Sequence, residues 1–210
     1  MEIIDNISFL GHATIRITGN NNKILYFDPF HLSGSLSNGD YIFCTHSHFD
    51  HYSEEDIKKI LKQESVLIIP EELKEKAKQI HSGKILPVKP YEKHLLDDIT
   101  IQTIPAYNIG KKFHPRENNW VGYIVTLDSA TFYIAGDTDF IPEMKEIKVD
   151  IAFLPVGGTY TMNPVEASKA ANTIKPRYAI PIHYGDIIGN KNDAQKFLTH
   201  LDKEITGLLL

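Results

Sequence analysis

The chain has 210 residues, of which 42% are apolar, and this length and composition suit one globular domain with a sizeable core. Its 22 Lys and Arg residues against 27 Asp and Glu residues give a formal net charge of -5, which argues against a general electrostatic attraction to nucleic acid but leaves room for a local basic patch. No apolar run reaches a membrane span of roughly 20 residues, acids stand where a signal peptide has Lys or Arg, and the only cysteine is Cys44, so we expect one cytoplasmic domain over residues 1 to 210.

The first thirty residues predict the antiparallel start of a sheet. Apolar segments separated by Gly11 and by a Gly/Asn turn predict short strands at residues 3–9, 13–18 and 23–27. His12 lies in the first turn, where it is either a site residue or a surface histidine. Asp28 follows the third strand and could accept a hydrogen bond from a ligand histidine or cap the turn before Pro29. A Ser/Gly/Asn-rich loop at residues 31–39 is expected to border the site.

The segment Thr45-His46-Ser47-His48-Phe49-Asp50-His51 follows apolar residues with the length and composition of a buried strand. It places three imidazoles and one carboxylate within six consecutive positions. Imidazole nitrogens and carboxylate oxygens are ligands of zinc, iron and manganese, and four such groups can supply a pair to each of two ions. A turn of solvated histidines is the alternative, but four specified positions in six favour a metal site with hydrolytic chemistry.

Strands and helices alternate after this motif. Ser53-Glu54-Glu55-Asp56 predicts a capping box at the start of a helix. Apolar periodicity predicts strands at residues 66–69, 85–88 and 99–104, a helix at 71–81, and a hairpin over 120–135. His81 and His94 lie on surface elements of this region, and we expect both to be structural.

The loop after the strand at residues 99–104 carries several polar residues. Asn108 and His114 lie in it, and Lys111, Lys112 and Arg116 give it positive charge. If the substrate is an anion, Arg116 could bind its phosphate or carboxylate as a bidentate fork. A solvated basic turn is the alternative.

The second half places further polar residues at strand ends. Asp137 follows the hairpin, and Asp139 is expected to cap a helix around residues 142–147. A buried strand at 151–155 leads through Gly157-Gly158 to a helix at 165–174, whose first N–H groups could face an anion. A strand at 178–182 precedes His183 and Tyr184, and a helix at 192–203 and a strand at 205–210 end the chain. Tyr184 is either a substrate or oxyanion contact or a packed core tyrosine.

These segments together resemble the metallo-β-lactamase superfamily of hydrolases. The resemblance rests on the His46–His51 motif and on four further segments in matching order: Leu10-Gly11-His12-Ala13, Phe27-Asp28-Pro29, Ala135-Gly136-Asp137-Thr138-Asp139 and Pro181-Ile182-His183-Tyr184-Gly185. Their wording is most similar to a small lactonase-like branch that includes ascorbate-6-phosphate lactonase. The resemblance implies an α/β fold, a four-layer α-β-β-α sandwich.

The resemblance also implies a ligand set for two divalent ions. His46 and His48 would bind the first ion, Asp50 and His51 the second, Asp137 would bridge the two, and His183 would complete the second site. Zinc is expected, with manganese, nickel or iron as alternatives, and no other cofactor is expected.

This chain departs from the family pattern at one ligand. Many relatives place a third histidine for the first ion where this chain has Asn108, whose neutral amide is a poor zinc ligand. We expect His114 to take that place. A substrate contact by His114, or an open and weakly bound first site, are the alternatives. His12, Asp28 and Asn108 are expected to orient ligands rather than to bind metal.

The implied activity is hydrolysis by a metal-bound hydroxide, with Asp50 orienting the water and Tyr184 and Arg116 contacting substrate. The expected substrate is a small ester or lactone, with a phosphorylated sugar acid as one candidate. Phosphodiester cleavage, di-iron redox chemistry and a non-catalytic metal-binding module are alternatives. We expect no nucleic-acid or membrane partner.

Overall fold

The computed structural model describes residues 3 to 210 and divides them into two compact units. The first ends at Lys89 and the second runs over Pro90–Leu210. Each unit contains one mixed β-sheet. The single domain expected over residues 1 to 210 stays a prediction. Within residues 3 to 210, no helix has the length and hydropathy needed to cross a bilayer.

The first unit is built on a six-stranded sheet in which neighbours in sequence are neighbours in the sheet. Its strands are β1 (Ile7–Gly11), β2 (Thr14–Thr18), β3 (Ile24–Phe27), β4 (Tyr41–Phe43), β5 (Val66–Pro70) and β6 (Lys84–Val88). Its helices are α1 (Glu54–Ile60) and α2 (Lys74–Ile80), and 3-10 turns span Ile3–Asn6 and Glu71–Leu73. The strand predicted over residues 3–9 is wrong in its first half, because Asp5 and Asn6 favour a turn.

Strand direction in the first unit brings three segments to one edge of its sheet. β1 and β3 are both antiparallel to β2, and β4 is parallel to β3, so β1, β3 and β4 run the same way. Helices α1 and α2 cover one face of this sheet, where Ile57 and Ala77 pack with Ile42 and Leu67. The segments that follow β1, β3 and β4 therefore leave the sheet at a common edge, and they contain His12, Asp28 and the histidine motif.

Asp56 ties helix α1 to the loop after β3. Its buried carboxylate accepts hydrogen bonds from the backbone N–H groups of His31 and Leu32, at 2.9 Å each, from Ser53 Oγ at 2.7 Å and from Lys59 Nζ at 2.9 Å. Ser53 caps the helix as predicted, since its hydroxyl accepts from the Asp56 N–H. The Asp56 side chain bonds to the loop, so the return bond of the predicted capping box is replaced by a tertiary contact.

Replacing Asp56 by Ala should lower the free energy of unfolding by about 2–4 kcal/mol at pH 7, because buried N–H groups lose their acceptor. Burial alone would raise the pKa of Asp56, but hydrogen bonds from Lys59, Ser53 and the Leu32 N–H outweigh it and lower that pKa. A lowered folded-state pKa contributes stability above the unfolded-state value of about 3.9, and this is lost as the pH falls through the folded-state pKa.

Urea unfolding of the wild type and the Asp56→Ala variant should therefore show a gap in stability that narrows between pH 7 and about pH 3. Glu55→Ala is the matched control, because Glu55 is exposed and its solvent-screened ion pair with Lys59 contributes little to stability. A gap that stays constant over this pH range would show that the Asp56 charge does not stabilise the fold.

The second unit is built on a seven-stranded sheet. Its strands are β7 (Lys93–Leu96), β8 (Ile99–Pro105), β9 (Val121–Leu127), β10 (Ala130–Ile134), β11 (Ile151–Pro155), β12 (Tyr178–Ile182) and β13 (Thr206–Gly207), in the order β13-β12-β11-β10-β9-β8-β7. Its helices are α3 (Pro164–Ile174) and α4 (Lys191–Thr199), and 3-10 turns span Arg116–Asn118 and Pro142–Glu146. Strand β7 was not predicted, and the last predicted strand is shortened to two residues.

Strand direction has the same consequence in the second unit. β10, β11 and β12 are parallel neighbours, and β8 is parallel to β10 because both pair antiparallel with β9. The segments that follow β8, β10 and β12 thus leave at one edge of the seven-stranded sheet. They contain His114, Asp137 and His183.

The start of helix α3 is closed by its own side chains. Asn163 Oδ1 accepts from the Val165 and Glu166 N–H groups, and the Glu166 carboxylate accepts from the Asn163 N–H. These donors are satisfied within the capping box, so the anion site considered at this helix start is not supported.

Candidate metal centre

The histidine motif forms a compact polar cluster in the first unit. His46, Asp50 and His51 are buried, and His48 is half-buried. His46 Nε2 lies 3.0 Å from His48 Nδ1, and His51 Nε2 lies 3.5 Å from Asp50 Oδ2. The motif thus forms two pairs of possible ligand atoms, the same pairs that the resemblance assigns to the first and the second ion.

Asp28 and Thr45 fix the orientation of two of these imidazoles. The Asp28 carboxylate can only accept, so His51 Nδ1, at 2.7 Å from Oδ2, carries the proton and His51 Nε2 carries the lone pair. Thr45 donates its hydroxyl hydrogen to Asp28 Oδ2 at 2.8 Å, which leaves Thr45 Oγ1 to accept from His46 Nδ1 at 3.0 Å. His46 Nε2 therefore carries the lone pair as well. The hydrogen bond expected between Asp28 and a histidine of the motif is present.

His12 holds Asp50 in place. The residue is 2% exposed, and its Nε2 donates to Asp50 Oδ2 at 3.0 Å. The surface-histidine alternative for His12 is therefore wrong. His12 and Asp28 both have left-handed φ values, 50° and 47°, which residues with a side chain seldom adopt and which cluster at functional sites.

Asp137 is the centre of a second cluster, in the second unit. Its buried Oδ2 lies 3.2 Å from His114 Nε2 and 3.2 Å from His183 Nε2. Gly136, with φ of 65°, turns the chain directly after β10 and so directs Asp137 to the sheet edge. His183 follows β12 with φ of 60°, again an uncommon conformation.

Asn108 determines which nitrogen of His114 carries the proton. Its Nδ2 donates to Asp139 Oδ1 at 3.1 Å and to the Tyr160 carbonyl at 2.9 Å, which fixes the orientation of the amide. Asn108 Oδ1 then accepts from the His114 N–H and from His114 Nδ1, both at 3.0 Å. The lone pair of His114 lies on Nε2, the atom that faces Asp137.

These contacts need a proton or a metal ion between the paired atoms. A carboxylate oxygen and an imidazole lone pair repel each other at 3.2 Å unless a proton or a metal ion lies between them. Two ligand atoms about 2.0–2.1 Å from one tetrahedral zinc are about 3.3–3.4 Å apart. The pairs described in each unit, separated by 3.0 to 3.5 Å, are close to that spacing, so the residues fit divalent metal ions.

Asp139 has a different role from the one predicted. It does not cap the turn at Pro142–Glu146, whose preceding residue Ile141 makes no side-chain cap. Its carboxylate accepts from the Ile109 N–H at 2.8 Å and from Lys111 Nζ at 2.6 Å, in addition to Asn108 Nδ2. Asp139 thus anchors the loop that carries His114. Lys111, whose charge offsets that of Asp139, was the sequence signal that could have indicated this contact.

Replacing Asn108 by Leu should weaken metal affinity by about 10–100-fold, because His114 Nδ1–H loses the acceptor that orients its ring. Competition with a chromogenic chelator measures this affinity directly. Asn192→Leu, on an exposed position of α4, is the control and should leave the affinity unchanged. Wild-type metal affinity in a folded Asn108→Leu protein would show that Asn108 does not orient His114 for metal binding.

Arg116 and Tyr184 were predicted to contact substrate. Arg116 is exposed, donates to Glu143 Oε1 at 3.0 Å, and lies over the Tyr107 ring, so its charge is already paired. Tyr184 is buried, and burial raises the pKa of its phenol, so the hydroxyl stays protonated and can donate a hydrogen bond. Burial and the Asp28 charge raise the pKa of the Cys44 thiol, which keeps it a core residue rather than a thiolate ligand.

The chain is similar to known metal-dependent hydrolases over most of its length. A family model described as "Beta-lactamase superfamily domain" matches residues 6–183. A "UPF0173 metal-dependent hydrolase" of Pyrococcus furiosus is 33% identical over 193 residues, which cover 85% of this chain and 84% of that protein. A "UPF0173 metal-dependent hydrolase" of Thermococcus kodakarensis is 32% identical over 209 residues, which cover 91% of this chain and 89% of that protein.

A solved structure gives the same result. The crystal structure of a Parabacteroides distasonis protein, described as a metal-dependent hydrolase, superimposes with a TM-score of 0.85 at 33% identity. The match covers 97% of this chain and 91% of that one. The resemblance read from the motifs thus extends to the whole fold.

Proposed function

Because the chain belongs to the β-lactamase superfamily and to its UPF0173 metal-dependent hydrolases, we propose that it cleaves a small ester or lactone at a centre of two divalent ions. Family membership confirms two predictions from the sequence: the α/β metallo-β-lactamase fold, with two mixed sheets flanked by helices, and the class of metal-dependent hydrolase. The lactonase-like chemistry, the number of ions and their identity belong to the proposal.

The observation that carries the proposal is the contact of Asp137 Oδ2 with two imidazoles at 3.2 Å, of which His114 faces it with a lone pair. As the resemblance implies, the proposed ligands of the first ion include His46 and His48, and we propose that His114 takes the place of the histidine that this chain lacks at Asn108. Those of the second are Asp50, His51 and His183, with Asp137 shared. Zinc is the proposed metal, because buried imidazoles with carboxylates suit it, with manganese, nickel and iron as alternatives.

Two bound divalent ions would supply a water of lowered pKa and polarise the bond under attack. Residues of the chain would orient the water, transfer the proton and stabilise the oxyanion. Asp50, held by His12, orients the attacking water and transfers its proton to the leaving oxygen. Asp28 and Asn108 keep the protons of His51 and His114 on Nδ1. Tyr184, as a neutral phenol, is the proposed donor to a developing oxyanion.

The proposed partner is a small molecule, with no nucleic acid and no membrane. The single cysteine is consistent with the proposed cytoplasmic location. A phosphorylated sugar acid is a less favoured candidate substrate, because Arg116, the residue predicted to contact an anion, is paired with Glu143.

A substrate panel tests the proposal. The protein loaded with zinc or manganese is assayed on γ- and δ-lactones, small aryl esters, and linear and cyclic phosphodiesters. We expect kcat/KM for the best lactone or ester to exceed that for any phosphodiester by about 100-fold or more. A preference for phosphodiesters would instead assign the chain to phosphodiester hydrolysis. No turnover in fully metallated protein would make it a non-catalytic metal-binding module.

A further inference from the structure

The first unit contains a cleft of about 630 Å³ beside the histidine motif. The aromatic wall of the cleft includes Phe30, His31 and Phe49, and its lining also includes the start of helix α1. Phe49 lies inside the motif, between His48 and Asp50, and is 67% exposed. Its ring lines the cleft, where a bound group can contact it.

The aromatic wall is continuous with the residues that hold Asp50. The Phe30 ring stacks on His31 at 3.7 Å between centroids and meets the edge of Phe49 at 5.8 Å. It also contacts the ring of His12 at 5.7 Å, and His12 donates to Asp50. A group bound against Phe49, the residue before Asp50, would therefore lie close to the proposed proton-transfer residue.

The start of helix α1 forms an acidic wall of the same cleft. Glu54, Glu55 and Asp56 line the cleft. Among the described residues that line it, Lys59 is the one lysine or arginine, and its ammonium is already paired with Asp56 at 2.9 Å and Glu55 at 3.2 Å. Asp56 is also fixed by the backbone of His31 and Leu32, so this wall is held in place. Glu54 pairs with Lys58 at 3.7 Å, so three carboxylates share two ammonium groups and leave a net negative charge that disfavours an anionic group.

We infer that this cleft binds an uncharged aromatic or aliphatic group of the substrate, remote from the bond that is cleaved. Apolar groups gain contact with the exposed ring of Phe49, which packs on the buried ring of Phe30, while phosphate or carboxylate groups are repelled by the net negative charge of the acidic wall. The inference rests on the proposed function for the identity of the ligand as a substrate. It replaces the expectation of an anionic substrate with a neutral, apolar one.

An NMR titration of the metal-loaded protein tests this without requiring turnover. The probes are 2-phenylethanol, which is neutral, and 2-phenylethanesulfonate, which carries a charge on a group that binds metals weakly. We expect 2-phenylethanol to shift the amide resonances of residues 30–32 and 49–59. We expect the Kd of the sulfonate to be at least about fivefold higher than that of 2-phenylethanol. Equal or tighter binding of the sulfonate, or shifts confined to other segments, would overturn the inference.

Two variants and a control test which residues bind the probes. Phe49→Ala should weaken 2-phenylethanol binding about tenfold, and Glu55→Lys should strengthen sulfonate binding about threefold. Leu95→Ala on β7, which removes a similarly exposed apolar side chain (71%), should change neither affinity.

The failure of the binding site and the failure of the proposed function can be distinguished. If the probe binds in the cleft while no ester or lactone is hydrolysed, the proposed function fails and the binding site stands. If substrates are hydrolysed but Phe49→Ala leaves probe binding unchanged, the site fails alone.

Discussion

Replacing Asp50 by Asn is expected to reduce kcat by about 10³-fold or more without disturbing the fold. Asn has the shape of Asp and can still accept the hydrogen bond from His12, which lies 3.0 Å from Oδ2. A neutral amide cannot take up the proton of the attacking water, and general acid–base groups contribute about 10²–10⁴-fold to rate. The measurement is steady-state turnover of the best lactone or ester, normalised to bound metal.

Asp202→Asn is the matched control, because Asp202 is an exposed carboxylate outside the motif, and it should keep the wild-type rate. Thermal unfolding of the Asp50→Asn protein verifies that its fold is intact. Wild-type kcat in a fully metallated Asp50→Asn protein would reduce Asp50 to a positioning ligand and remove the proposed proton transfer.

Replacing Asp137 by Asn should have the largest effect on metal binding. Asp137 Oδ2 is the atom that faces both His114 and His183 at 3.2 Å, and an amide oxygen carries no charge to offset that of the ions. We expect metal affinity to fall by more than about 100-fold, and therefore by more than for Asn108→Leu, because a donor atom is lost and not only its orientation. Chelator competition gives both values on one scale.

Thermal unfolding gives a second readout of the same change. With metal present, Asp137→Asn should have a lower Tm than the wild type, because bound metal stabilises the folded state. With EDTA present the difference should disappear, since the carboxylate then has no ion to bind. A Tm difference that persists undiminished in EDTA would assign Asp137 a structural role in place of a metal-binding one.

The sequence was sufficient to predict where the site residues lie on the fold. His12, Asp28, Asp137 and His183 were all placed after strands. Strand direction brings the first two to one edge of the first unit's sheet and the last two to one edge of the second unit's sheet. The His46–His51 motif was recognisable because its ligand types are adjacent in sequence. Local patterns were enough for these residues, since a strand end and a short motif are both local features.

Contacts between distant residues were not predictable in the same way. Asp139 was assigned to a nearby helix start, but it bonds to Lys111 and Asn108, which precede it by 28 and 31 residues. Arg116 was considered as an anion contact, but it pairs with Glu143, 27 residues later. Such pairings depend on how loops fold against each other, which neither periodicity nor turn chemistry specifies.

The metal content of the protein purified without added metal is the most direct test of the whole account. Inductively coupled plasma mass spectrometry on the folded wild type should find two equivalents of divalent metal per chain, with zinc predominant. Protein that contains no metal, and that takes up none when zinc is supplied at micromolar concentration, would contradict it. The buried imidazole–carboxylate pairs would then be bridged by protons, and metal-dependent hydrolysis by this chain would have no basis.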